Sequence, residues 1–484
     1  MIDFQQVPPQ DGIERMSATQ QHPQPDLVAS LAAIVGEDRV KTDPESLETF
    51  GRDWTKIRDP RPSAVVLPGS AEEVQALVRL ANAERIALVP SGGRTGLSGA
   101  AVAADAEVVV AFDRMNRILD FSPVDRQVVC QPGVVTEQLQ DFAEENGLFY
   151  PVDFASSGSS QIGGNVATNA GGIKVIRYGL TRDWVTGMKV VTGNGELLDL
   201  NQGLVKNATG YDLRHLFIGS EGTLGFIVEL TMGLASAPKD PTVLVLAVEE
   251  MDAIMEVLKA FREKMEINAF EFFSEQAMSH VIAEKGLQRP FETIGSYYAL
   301  IEFENADGQA VDTAMEVFEH CVESGWALDG AMSQSIEQAK TLWRLREDIS
   351  ETISRFTPYK NDISVKVSQV PAFLADVDGL VSARYPDFEI IWFGHIGDGN
   401  VHLNILKPDA LAKEDFFRQC GEVSEEVFSI VQQYGGSISA EHGVGLLKKP
   451  YLQYSRSAAE IELMRQIKRV FDPANIMNPG KIFD

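Results

Sequence analysis

The stretch from residue 64 to residue 112 restricts the fold more than any other. AVVLP, starting at Ala64, is a short apolar strand, and Ser70 then opens SAEEVQALVRLANAER. There Ser70 and Glu73 form a capping box, and Val74, Leu77, Val78 and Ala81 share one helical face. A second strand, IALVP at 86–90, completes a strand–helix–strand unit, whose crossover is right-handed in nearly all proteins. It runs into the glycine-rich loop PSGGRTGLSG (90–99), ahead of another strand, EVVVAF (107–112), so the loop sits at a strand end, where ligands collect. Four glycines and three small hydroxyl residues let backbone amides approach an anion closely. No G-K-[ST] follows, and no G-x-G-x-x-G joins a strand to a helix anywhere in the chain, which disfavours a P-loop and an NAD-type dinucleotide fold.

From 127 to about 237 the chain reads as short strands broken by glycines. Within it QIGGNVATNAGG (161–172) buries little apolar area, as expected where backbone must line a large flat ligand; the competing reading is a flexible linker. The texture changes near 238–241. VLVLAVEE reads as a strand and 251–264 as an amphipathic helix, so a second α+β domain starts near residue 240. The last 13 residues, DPANIMNPGKIFD, hold two prolines and a glycine and predict an extended tail. The Gln- and Pro-rich beginning predicts a disordered lead over 1–27.

At 484 residues the chain has room for two or three domains. With 42 Lys plus Arg against 70 Asp plus Glu, its net charge of -28 argues against nucleic-acid binding and against an anionic membrane surface. Cys130, Cys321 and Cys420 are far apart and form no C-x-x-C pair, which points to a reducing compartment, the cytoplasm. No run reaches the roughly 18 apolar residues a membrane span requires.

The sharpest chemical signal is EIIWFGHIGDGNVHLNIL (389–406), two alternating runs around Asp398-Gly399 that predict a hairpin with a two-residue primed turn. Counting out from the turn pairs His395 with His402 on one face, with Asn404 two residues along. GGSISAEHG (435–443), read as a further strand, adds Glu441 and His442. Two histidines and a carboxylate form the ligand set of a catalytic divalent site, most often zinc; the competing reading is buried structural histidines. Upstream, one helix over 335–356 places Arg346 and Ser350 four apart, and Lys360 follows Pro358. Each is ordinarily a solvated group, but in so acidic a chain they form a candidate carboxylate clamp.

PSGGRTGLSG, GGNVATNAGG, GSEGTLGFI, GHIGDGNVHLN, SAEHGVG and the terminal NPGK, in that order, resemble the FAD-linked oxidases of the vanillyl-alcohol-oxidase superfamily. More narrowly they resemble its D-2-hydroxyacid dehydrogenases, and LREDIS, PYKNDIS and HLN look most like the members acting on D-2-hydroxyglutarate. The resemblance implies an α+β chain: a two-subdomain FAD-binding domain of the PCMH type (28–239), an α+β substrate-binding cap (240–435), and a C-terminal segment (436–484) returning to the flavin.

By resemblance, Pro90, Ser91, Gly92, Gly93, Arg94, Thr95, Gly96 and Gly99 cradle the pyrophosphate. Gly164, Asn165, Thr168, Gly171 and Gly172 line the cofactor, Glu221, Gly222 and Ile227 hold its adenosine side, and Asn478 and Lys481 reach the flavin from the tail. Arg94 stands where covalent members carry a His, which implies non-covalent FAD. His395, His402 and Glu441 match ligands of zinc or another divalent metal, and His442 matches the catalytic base. Arg346, Ser350 and Lys360 match the hold on a distal carboxylate, Asn404 and His442 that on the reacting end. The implied partners are a small D-2-hydroxy acid and an electron-transfer flavoprotein or quinone-linked acceptor. A homodimer and a monomer both stay open. Competing readings are a D-lactate or glycolate dehydrogenase, a flavin-free metal-dependent hydrolase, and a non-catalytic flavin-binding module.

Overall fold

The computed structural model describes residues 25–55, 57–306 and 308–483. Of the lead expected to be disordered, 1–24 lie outside those residues. Residues 25–27 are helical instead, because the helix Pro25–Val35 starts there, anchored by the buried Leu31 and Val35. The described residues divide into two compact units, one holding 25–170, 180–236 and 441–483, the other 171–179 and 237–440.

The first unit has two sheets. In the four-stranded one, Ala64–Val66, Val108–Ala111 and Leu88–Ser91 run parallel in that spatial order, with Val40–Lys41 antiparallel beside Ala64–Val66. The crossover helix Ala71–Glu84 buries Val74, Leu77, Val78 and Ala81, the predicted face. Ser70 caps it by accepting from the Glu73 amide at 3.3 Å, while the Glu73 carboxylate reaches back to the Gly69 amide and pairs with Arg39. Leu88–Ser91 ends the sheet, so Pro90 breaks no ladder; its outer side carries only a bridge from Leu88 to Met477 of the tail. The second sheet is antiparallel, in the order Ile118–Ser122, Gln127–Cys130, Gly225–Gly233, Val185–Thr192, Leu197–Leu200. The small-residue stretch after Gln161 is a helix, Ile162–Thr168, closed by Asn169 at φ 54°.

The second unit is a seven-stranded antiparallel sheet: Asp329–Met332, Pro241–Val248, Tyr297–Glu304, Ala269–Ser274, Ile390–Gly394, Asn400–Ile405 and Tyr359–Ser364. The helix Met251–Lys264 packs Ile254, Val257, Leu258 and Phe261 inward, as its periodicity predicts. The single helix expected over 335–356 is broken: Ile336–Glu347 ends at Asp348, Ile349–Ile353 follows, and a 3-10 turn runs to Phe356. Residues 171–179 belong to this unit although the chain on both sides lies in the other. Ile173 joins its apolar core, and Lys174 pairs with the buried Glu302 at 3.0 Å.

Candidate functional site

In the first unit, Pro90, Gly92, Gly93, Arg94, Thr95 and Gly96 form one wall of a cleft, Gly164, Asn165 and Thr168 a second, and Glu221, Gly222 and Ile227 a third. Bare glycines let these walls close on each other: a Cβ on Gly93 would stand 2.3 Å from the Ser159 carbonyl, and one on Gly222 2.5 Å from Pro90. At Gly164 a Cβ would meet nothing within 4 Å, so there the backbone faces open space. Gln161, which the sequence reading left out, also lines the cleft, and its buried Oε1 has no hydrogen-bond partner. Glycine walls and an unspent polar atom fit a flavin dinucleotide. Arg94 donates to Asp113 at 2.8 Å and lies over the Phe50 ring, and a guanidinium offers no nucleophile for a covalent flavin link.

Other expected cofactor residues fasten the cleft, as does the carboxylate of Glu221 from its wall. Ser91 is fully buried in its strand. Gly99, at φ 81°, donates its amide to the buried Asp53 at 2.7 Å. Asn478 donates to the Ala100 and Glu221 carbonyls at 2.9 and 2.7 Å, latching the tail to the cleft loops, and Lys481 lies buried 3.9 Å from Glu107. The Glu221 carboxylate accepts from the Val444 and Gly445 amides at 2.6 and 2.8 Å. Burial pushes its pKa up to about 7, against the downward pull of those amides. Gly171 and Gly172 fall in the other unit.

In the second unit the hairpin forms in a different register. Phe393 pairs with His402 and Ile391 with Asn404, which is two residues away from the expected pairing of His395 with His402. The connection is a five-residue loop, 395–399, instead of a two-residue turn. Its shape follows from Gly399, at φ 88°, which packs so closely on the segment after Ser364 that a Cβ would sit 2.0 Å from the Val365 carbonyl. A slip of two preserves the face of every strand side chain, and His395, one residue past the strand end, is held on that side by Glu271. The imidazoles therefore still meet, with ring centroids 5.4 Å apart and candidate ligand nitrogens within 4.8 Å.

Carboxylates from other strands stand behind both rings. Glu271 Oε1 is 2.9 Å from His395 Nδ1, and Asp362, the register partner of His402, has Oδ1 3.8 Å from its Nδ1. With Nδ1 turned to a carboxylate, Nε2 is the nitrogen suited to a cation, the usual arrangement of a metal-binding histidine. Asp398, in the loop between them, has its pKa pushed up to about 6 by burial. The donor set fits a divalent metal. Glu441 and His442 open the segment assigned to the other unit, directly after Ala440. The strand expected at 435–443 is absent; only Ser437 bridges, to Ser364, because Ser437 Oγ bonds the Ser439 carbonyl and turns the chain away.

The expected carboxylate clamp separates into two parts. Lys360 lies opposite Asn404 in the strand register, and its Nζ donates to Ser350 Oγ at 2.8 Å. Surrounding protein lowers the ammonium pKa to about 8, although its surface remains exposed. Arg346 is only 5% exposed; its Nη2 lies 2.9 Å from Glu271 Oε2, and its guanidinium lies 4.7 Å over the Phe393 ring. Glu271 and Asp362 were missed by sequence reading. A lone acid inside the apolar AFEFFS, and the alternation of Lys360 with Asp362 in KNDIS, were the available signals.

Among the described residues no helix is long and apolar enough to cross a membrane. The family model described as FAD linked oxidases, C-terminal domain, matches residues 237–482, and an FAD binding domain model matches 62–201. Over 459 residues the chain is 63% identical to a D-2-hydroxyglutarate dehydrogenase of Stutzerimonas stutzeri (strain A1501), covering 95% of this chain and 99% of that protein. It is 36% identical to a mitochondrial D-2-hydroxyglutarate dehydrogenase of Arabidopsis thaliana, covering 94% of this chain and 81% of the relative. A solved p-cresol methylhydroxylase has the same fold, with a TM-score of 0.75 at 17% identity over 95% of this chain and 96% of that one.

Proposed function

The chain belongs to the FAD-linked oxidase family, and from that membership we propose that it oxidises D-2-hydroxyglutarate to 2-oxoglutarate. The observation that carries the choice of substrate is Lys360, bonded to Ser350 and registered against Asn404, which itself lies two residues from His402. A five-carbon diacid needs a cation at the end remote from the reacting carbon, and Lys360 is that cation.

When bound, FAD supplies a two-electron acceptor and a divalent cation, zinc or another, supplies Lewis acidity toward the hydroxyl and carboxylate of the substrate. His395, His402 and Glu441 are the proposed ligands. His442 takes the hydroxyl proton at a ring nitrogen as general base. Asn404, buried at 1% exposure, holds the reacting end through its amide. Lys360 and Ser350 hold the distal carboxylate, and Arg346 adds positive charge that Glu271 partly offsets. Arg94, which offers no nucleophile, would leave bound FAD non-covalent, and the reduced cofactor would need an electron-transfer flavoprotein or a quinone-linked carrier as acceptor. We place the reaction in the cytoplasm, a reading supported by three buried cysteines that are all free.

The test is a panel of D-2-hydroxy acids run on purified protein with a dye acceptor, alongside flavin absorbance and metal content. The proposal expects a flavin spectrum, turnover of D-2-hydroxyglutarate well above D-lactate and glycolate, and loss of turnover on chelation. Faster turnover of the short acids would overturn the substrate assignment. Undiminished activity after the metal is stripped would overturn the metal's role. Colourless protein that reduces no dye with any of these acids would overturn the flavin reading and leave the flavin-free hydrolase.

A further inference from the structure

We propose that Glu271 is a positioning residue that orients the metal-ligand side chain His395 and the substrate-side guanidinium of Arg346 with one carboxylate. The inference rests on the roles of His395 and Arg346 proposed above.

Glu271 lies on the strand Ala269–Ser274 between Phe270 and Phe272 and is 1% exposed. An acid in such a place is costly unless its charge is matched. It is matched on both oxygens: Oε1 lies 2.9 Å from His395 Nδ1, and Oε2 lies 2.9 Å from Arg346 Nη2. These partners come from chain positions far apart, and both belong to the candidate site. The first contact makes Nδ1 the proton-bearing nitrogen and leaves Nε2 as the one that can ligate. The second holds Arg346 by charge and not by aligned hydrogen bonds, so Arg346 Nε and Nη2 keep donor capacity with no hydrogen-bond partner. Phe393 completes the frame, lying 4.7 Å under the guanidinium and 5.0 Å from the His402 ring. A guanidinium pinned on one side by Glu271 and on its face by Phe393 is preorganised to donate its remaining N–H groups to an incoming carboxylate.

The test uses full-length protein with its flavin bound and reads zinc affinity by competition with a chromophoric chelator, the visible band of the cobalt(II)-loaded protein, and the split between kcat and KM. Glu271→Gln keeps the shape and removes the charge. The expected result is zinc affinity about 10–100-fold weaker, the usual penalty for losing a carboxylate behind a metal-bound histidine. The cobalt band should shift, and KM for D-2-hydroxyglutarate should rise because Arg346 is no longer held.

Since Glu271→Gln strands a buried guanidinium and that variant can fail to fold, the double variant Glu271→Gln/Arg346→Met removes both charges together and carries the same zinc measurement. If Glu271 serves only to balance Arg346, the double variant binds zinc like the wild type and the proposal is overturned. If it positions His395, affinity stays low in the double variant. His395→Ala separates the two failures: should that variant keep wild-type zinc affinity, the metal-site reading itself fails, whereas loss there with normal binding in the double variant sinks only the role of Glu271.

Discussion

Replacing Lys360 by Met keeps the aliphatic stem and removes the charge that the proposed diacid needs. Its Nζ donates to Ser350 Oγ at 2.8 Å, so the ammonium is already aimed and loses little freedom on binding. A hydrogen bond to a charged group is worth about 1.5–3 kcal/mol. Because Lys360 is exposed, solvent screening trims that to about 1–2 kcal/mol, which is about 5–30-fold in kcat/KM. D-Lactate has no distal carboxylate, and its kcat/KM should change by less than about twofold, within the scatter of a surface substitution. The pH profile supplies an independent reading. The site needs the protonated amine, whose pKa surrounding protein lowers to about 8, so binding is intact below that pH and lost above it. For the wild type, kcat/KM toward D-2-hydroxyglutarate should begin to fall near pH 8 and level off about 5–30-fold lower, the same factor that removing the charge costs. The Lys360→Met profile and the D-lactate profile should both lack that limb. Steady-state rates with a dye acceptor over pH 6–10 measure all four curves. Equal losses on both substrates, or an alkaline limb shared by both, would refute the assignment of Lys360 to the distal carboxylate.

Three further outcomes follow from the same geometry. Asn478→Ala strands the buried Glu221 carbonyl, at about 1–3 kcal/mol, and frees the half-buried Ala100 carbonyl to water at a smaller cost, so urea titration should show about 1–4 kcal/mol lost together with weaker flavin retention; a loss below about 0.5 kcal/mol would mean the tail is not latched there. Gly399→Ala forces a Cβ to 2.0 Å from the Val365 carbonyl at φ 88°, and zinc content per chain should drop more steeply than flavin content; unchanged zinc would show that the 395–399 loop does not set the histidine pair. Glu221 titrates near 7 in the folded chain against 4.5 for the ordinary group, so between those values the folded state holds more protons and stability falls as pH rises. Thermal melts should show the wild type losing ground to Glu221→Gln from pH 4.5 to pH 7, and parallel curves would contradict the buried-carboxyl account.

What the sequence by itself determined is local or depends only on parity. The helix faces at 71–84 and 251–264 follow from a 3.6-residue period that no neighbour can alter. The shared face of His402 and Asn404 survived a wrong register because a strand's side chains alternate with period two, and a slip of two restores the same face. The glycine loop at 90–99 was legible because only bare backbone allows such close walls.

What only the tertiary structure decided concerns partners distant in the chain. The five-residue loop exists because Gly399 packs on Val365, a contact no turn rule contains. Residues 171–179 follow directly on the small-residue stretch 161–170 with no break that marks a boundary, yet Ile173 and Lys174 find their core and their counter-charge in the other unit. Arg346 looked like a solvated clamp on a helix until the sheet brought Glu271 beside it. A charge's role is set by the field of the groups around it, and here the deciding carboxylate lies 124 residues from the histidine it also holds.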